Sequence, residues 1–179
     1  MSERKLHSAR LDLRPVKLSD LENIHQLHSF PETDRFNTLG IPENLEQTSA
    51  VISEWIAIHE KSPQRNFVFV VHLKDQEEFI GLIALNSGKE KFNNAEVWYK
   101  YHPVHWNQGY ATEALKLILD FGFHQLNFHR IEAGCAVDNI GSIRTLEKAG
   151  MTREGRKRQV LPLSSGWSDN FEYAILSSD

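Results

Sequence analysis

Apolar residues recur along this chain with two different periods, and the change of period marks out its elements. Arg10-Leu11-Asp12-Leu13-Arg14-Pro15 alternates polar and apolar positions, which predicts a half-buried strand ended by Pro15. Ser19-Asp20 then offers a helix cap, and Leu21, Ile24, Leu27 and His28 follow at helical spacing. Residues 30–44 hold Pro31, Gly40 and Pro42 and are predicted to be a loop. Val51, Ile52, Trp55, Ile56 and Ile58 give the apolar face of a second helix over about 45–59. The period then shortens to that of strands. Residues 66–73, bounded by Pro63 and by Lys74-Asp75, are rich in Val and Phe, and 78–85 and 95–101 are similar runs. Short connections between these three runs predict an antiparallel meander. Ala111, Ala114, Leu115, Ile118, Phe121 and Gly122 share one stripe of a helix over 111–125. A strand over 130–137 follows. Asp138-Asn139 caps a short helix that carries Ile143 and Leu146 inward and stops at Gly150, and two last strands are expected at 151–161 and 170–176. This order gives an α+β fold, a mixed sheet covered by about four helices.

Composition narrows the function classes. At 179 residues, 40% hydrophobic and 25% charged, the chain is predicted to be one globular domain spanning 1–179, with no internal repeat or linker. Twenty basic against 24 acidic residues give a formal charge of −4, which supplies no general attraction to nucleic acid or to an anionic membrane. The single cysteine, Cys135, excludes an intramolecular disulfide and a cysteine zinc cluster, and no metal site is expected. No run approaches the ~18 apolar residues that cross a bilayer, and no apolar stretch follows the charged N-terminus. A cytoplasmic protein is expected.

The most informative stretch is His105-Trp106-Asn107-Gln108-Gly109-Tyr110-Ala111-Thr112-Glu113-Ala114, between a strand and a strong helix. A helix N-terminus presents unpaired amides and a partial positive charge, and so receives anions. Gly109 removes a side chain where a ligand would approach the backbone, and Ala111 is the next-smallest choice two residues on. The stretch is neither a Walker loop nor a Gly-x-Gly-x-x-Gly fingerprint. Its plainer explanation is a glycine that relaxes a tight strand-to-helix turn.

Trp106 to Ala114 nevertheless resembles the acetyl-coenzyme A loop of the GCN5-related N-acetyltransferases (GNAT), most closely the RimJ/RimL-like branch that acetylates ribosomal-protein N-termini. The resemblance continues in Phe79-Ile80-Gly81, in Arg130-Ile131-Glu132-Ala133 with Asn139, Ser142 and Leu146 to Met151, and in Asp169 with Tyr173-Ala174-Ile175. It implies a central, mostly antiparallel sheet whose fourth and fifth strands splay apart around acetyl-CoA, with coenzyme A as product. The pantetheine would pair with the backbone of Tyr99, Lys100 and Tyr101. The pyrophosphate would sit on the amides of Asn107, Gln108, Gly109, Tyr110, Ala111 and Thr112. Asn139 would bond the pantetheine arm. The acceptor would be a primary amine, either a protein N-terminal α-amine or a small molecule such as a polyamine, amino acid or antibiotic. The branch also allows a homodimer, to which an exposed final strand at 170–176 would contribute.

One departure bears on mechanism. Many members carry a tyrosine at the position of Leu146, thought to protonate the departing thiolate, and leucine has no proton to give. An acyl-CoA-binding module without catalysis is therefore the second reading. Direct transfer needs a neutral amine, a donor for the developing oxyanion and a proton for the thiolate. Glu96 is the first candidate for the base, ahead of Glu132, His102 and His105. Ser142, one turn after Asn139, is the candidate acid. Cys135 as a covalent nucleophile is a distant alternative, and a backbone amide near Trp98 or Tyr99 is expected to hold the oxyanion.

Overall fold

The computed structural model describes residues 4–60 and 66–179. Eight strands form one sheet: β1 (Leu6–His7), β2 (Leu11–Pro15), β3 (Phe67–Leu73), β4 (Glu78–Ser87), β5 (Asn94–Tyr101), β6 (Arg130–Ala136), β7 (Thr152–Leu163) and β8 (Gly166–Leu176). Their order is β1-β2-β3-β4-β5-β6-β8-β7. Every pairing is antiparallel except that of β5 with β6. Among the described residues five α-helices accompany it: α1 (Leu21–Ser29), α2 (Pro31–Asp34), α3 (Leu45–His59), α4 (Tyr110–His124) and α5 (Ile140–Lys148). Among the described residues no helix is long and apolar enough to cross a membrane.

Residues Phe67 to Val71 of β3 and Ile80 to Leu85 of β4 are buried without alternation, because helices cover both faces of the sheet centre. On one face Ile24, Leu27 and Ile52 of α1 and α3 pack on Val68, Val70, Leu82 and Ala84. On the other, the apolar stripe of α4 packs on Phe67, Phe69, Leu85 and Ile131. The Phe121 ring stands edge-on to Phe67 at 5.0 Å.

Three predicted features differ in this fold. The 30–44 segment contains α2, because Pro31 occupies the first helical position and the Thr33 hydroxyl donates to the Leu27 carbonyl at 2.7 Å. Asp20 begins α1 without a side-chain cap bond. Its buried carboxylate instead accepts from the Arg14 guanidinium at 2.6 and 2.9 Å and from the Lys17 amide at 2.8 Å. The final strand is no exposed edge: β8 lies between β6 and β7, so β7 is the free edge there. Pro63, expected to bound β3, lies outside the described residues.

The feature that positions the site is the way β5 and β6 part. They are paired only at Asn94↔Arg130, Ala95↔Ile131 and Glu96↔Glu132. Beyond Glu96 the two strands diverge, while β6 stays paired with β8 along its length. A gap therefore opens in the middle of the sheet.

Candidate active site

The gap opens into a cleft of about 490 Å³, within the size range of small-ligand sites. One wall is β5 and the loop that leads into α4. The other is the start of α5, and α2 closes a third side.

The loop folds as its glycine predicts. Asn107 and Gly109 both have positive φ, +60° and +82°, and Gly109 is the N-cap of α4 with no side-chain bond to the helix amides. The first amides of α4 therefore point out unsatisfied, which suits a pyrophosphate. The turn is braced from outside. Arg10 donates from Nε to Glu113 at 2.7 Å and from Nη1 to the Gln108 carbonyl at 3.1 Å, and its guanidinium lies 4.5 Å from the Tyr110 ring centre. Burial raises the Glu113 pKa, but hydrogen bonds from Ser8 and Arg10 outweigh it and hold the carboxylate low.

Most of the expected coenzyme residues meet here. Tyr99, Lys100, Tyr101, Asn107, Gly109, Tyr110, Ala111, Thr112 and Asn139 all line the cleft. Gln108 does not; its side chain turns back to donate to the Val104 carbonyl at 3.0 Å. The Tyr101 carbonyl already accepts from the Trp106 indole at 2.8 Å. Asn139 spends its carbonyl oxygen on the Ser142 amide at 3.1 Å as the α5 cap, leaving its amide nitrogen toward the cleft without a partner among the described residues. Arg144 and Lys148, one turn apart on α5, also line the cleft and form no ion pair among the described residues. The sequence reading missed these two, although cations at i and i+4 beyond Asn139 were a visible signal. Uncapped helix amides, a glycine turn and two unpaired cations fit a phosphorylated coenzyme.

The candidate catalytic groups lie on opposite faces. Ser142 lines the cleft, and its Oγ is 2.9 Å from the Tyr99 hydroxyl across the gap. Leu146 is buried in the core one turn further on. Glu96 is on the other sheet face, at the last paired rung, and does not line the cleft itself. Its carboxylate has no hydrogen-bond or ion-pair partner among the described residues. Partial burial, and then the neighbouring Glu132 and Glu172, raise its pKa; Lys157 opposes this. Glu132 is paired with Arg130 at 2.7 Å, as Glu172 is with Lys157 at 2.9 Å. His105 lines the cleft 3.2 Å from Glu78, while His102 packs on Phe30 with ring centres 4.4 Å apart. Cys135 is buried, and burial pushes its thiol up to about 11, where a thiolate nucleophile is scarce at neutral pH.

Lys100 is the electrostatic anomaly of the site. Only 6% of it is exposed, its Nζ has no hydrogen-bond partner, and burial pushes its pKa down to about 8 against the pull of Asp34. Asp34 Oδ1 is likewise buried without a partner.

A cleft between splayed strands, entered at an uncapped helix, is the arrangement expected of an acyl-group transferase that uses a phosphorylated coenzyme. Residues 10–152 match the family model of the acetyltransferase (GNAT) domain. The chain is 31% identical over 171 residues to the uncharacterized N-acetyltransferase YoaA of Bacillus subtilis (strain 168), covering 96% of each. It is 26% identical to the spermidine N(1)-acetyltransferase of Vibrio cholerae, over 96% of this chain and 95% of that one. The solved structure of RimL with coenzyme A superposes with a TM-score of 0.88 at 20% identity, covering 98% of this chain and all of that one, so the two share a fold. The chain belongs to the GNAT family and is an acetyl-CoA-dependent N-acetyltransferase.

Proposed function

We propose that the protein acetylates a primary amine by direct attack in a ternary complex, with Glu96 as the base and Ser142 as the acid. When bound, the coenzyme supplies the acetyl thioester. The amides at the start of α4, with Arg144 and Lys148, hold its phosphates, and β5 holds its pantetheine arm. Glu96 takes a proton from the incoming ammonium, directly or through water, and Ser142 gives one to the departing sulfur. The observation that carries this reading is the Glu96 carboxylate: unpaired, with a raised pKa, at the rung where β5 and β6 part. A carboxylate whose pKa is raised accepts a proton at neutral pH more readily than an ordinary one.

The same face sets the acceptor class. Glu96, Glu132, Glu154 and Glu172 gather there against the cations of Arg130 and Lys157. That acidic excess favours an amine on a positively charged molecule. A polyamine fits this best, in keeping with the spermidine acetyltransferase relative; a protein N-terminus followed by basic residues is the other acceptor it favours. The test is thiol release from acetyl-CoA with spermidine, spermine, basic and acidic N-terminal peptides, and neutral amines, with products identified by mass. Turnover of the cationic amines is expected. Equal turnover of acidic peptides would contradict the assignment of this face.

A further inference from the structure

The Tyr99 side chain does something the sequence did not indicate. It reaches across the gap from β5 to the first turn of α5, where its hydroxyl lies 2.9 Å from Ser142 Oγ and 3.4 Å from the Ser142 carbonyl. Tyr99 and Ser142 both line the coenzyme cleft. Two hydroxyls in one hydrogen bond share one hydrogen between them. If Tyr99 donates it, the hydrogen on Ser142 is left for the two other sides that hydroxyl faces, the buried Cys135 thiol and the cleft, and the coenzyme sulfur would enter on the cleft side. Burial foremost keeps the Tyr99 phenol protonated, so it has a hydrogen to donate throughout the working pH range. Leu146 leaves the usual tyrosine position of α5 apolar, and Tyr99 brings a phenol to the same helix from the opposite wall.

We propose that Tyr99 is a positioning residue for the acid: its hydroxyl donates to Ser142 Oγ and thereby aims the Ser142 hydroxyl at the coenzyme sulfur. This rests on the reading of Ser142 as the acid. In the step itself the amine nitrogen bonds to the acetyl carbon and the carbon–sulfur bond breaks. The ammonium first gives one proton through Glu96 to solvent, and after attack the nitrogen sheds a second by the same route. The sulfur takes the Ser142 proton, and Ser142 is reprotonated from solvent while Tyr99 keeps its own.

The test compares wild type with Tyr99→Phe, Ser142→Ala and the double variant. Phenylalanine preserves the ring and the β5 backbone. Tyr99→Phe is expected to lower kcat by about 10- to 100-fold with KM for acetyl-CoA unchanged. The double variant is expected to be no slower than Ser142→Ala, because residues that act as a unit are non-additive. A second readout needs no turnover: calorimetric binding of coenzyme A and of desulfo-coenzyme A across pH. A donor aimed at sulfur favours the thiolate, so wild type should gain affinity for coenzyme A over the desulfo form as pH rises, and both single variants should lose that gain. Wild-type kcat in Tyr99→Phe alongside a slow Ser142→Ala would overturn the role of Tyr99 alone. Wild-type behaviour of Ser142→Ala would overturn it together with the acid assignment. Losses that multiply in the double variant would show two independent roles and refute the proposed relay of orientation.

Discussion

Replacing Lys100 by methionine should make the protein more stable. The Lys100 ammonium is buried between β5 and α2 without a hydrogen-bond partner, and its pKa is pushed from 10.5 down to about 8. At about 1.36 kcal/mol per pH unit, that drop means that holding the charge inside costs roughly 3 kcal/mol at neutral pH, even with Asp34 helping. Because the folded-state pKa lies below the unfolded one, the unfolded chain binds more protons between about pH 8 and 10.5. The penalty is complete below the folded value and fades as pH rises through that window. Wild type should therefore gain roughly 2 kcal/mol of this contribution between about pH 7 and pH 9.5. Methionine keeps the length and apolar stem without the charge. Lys100→Met should gain roughly 1–3 kcal/mol at pH 7 in urea unfolding of the ligand-free protein, the lower figure allowing for relaxation around the lysine. Its advantage should shrink toward pH 9.5. A variant less stable than wild type at pH 7, or an advantage that does not change with pH, would refute the reasoning and mean that the ammonium has a partner.

Other expectations concern the site. Glu96→Gln should keep acetyl-CoA affinity and lose about 10²–10⁴ in kcat, measured by thiol release. In wild type kcat should fall as pH drops through the raised Glu96 pKa, so the acid limb should lie above the range of an ordinary carboxylate; the glutamine variant should lack that limb. Arg10→Ala removes the brace on the Gln108 carbonyl and on Glu113, and should weaken acetyl-CoA binding roughly tenfold by calorimetry, about what ~1.5 kcal/mol from a charged hydrogen bond amounts to. An unchanged affinity would mean that the loop holds its shape without Arg10.

The parts of this protein that local pattern encodes were readable in the chain. The runs in β3 and β4 were plain because helices bury both faces, and the α4 stripe was plain because its neighbours on the sheet are apolar. Gly109 announced the strand-to-helix turn, where it caps α4 at a positive φ that suits glycine. What depends on distant partners was hidden. Nothing in residues 166–176 says that β8 inserts between β6 and β7, since burial pattern fixes which face a residue takes and not which strand lies beside it. Asp20 looked like a cap and became half of an ion pair with Arg14, six residues back on another element. The Tyr99–Ser142 contact joins residues 43 apart through the divergence of β5 and β6, a shape with no local signal.

The central claim is that acetyl-CoA binds between β5 and β6 with its pyrophosphate on the α4 amides. The measurement that tests it most directly is calorimetric titration of acetyl-CoA into wild type and Gly109→Glu. A side chain there is strained by the φ of +82° and sets a carboxylate at the anion site, while Arg10 Nη2 lies 3.4 Å from the added Cβ. Saturable one-to-one binding by wild type and its loss in a variant that still melts cooperatively is the predicted result. Equal binding by both proteins would contradict the placement of the coenzyme at this turn.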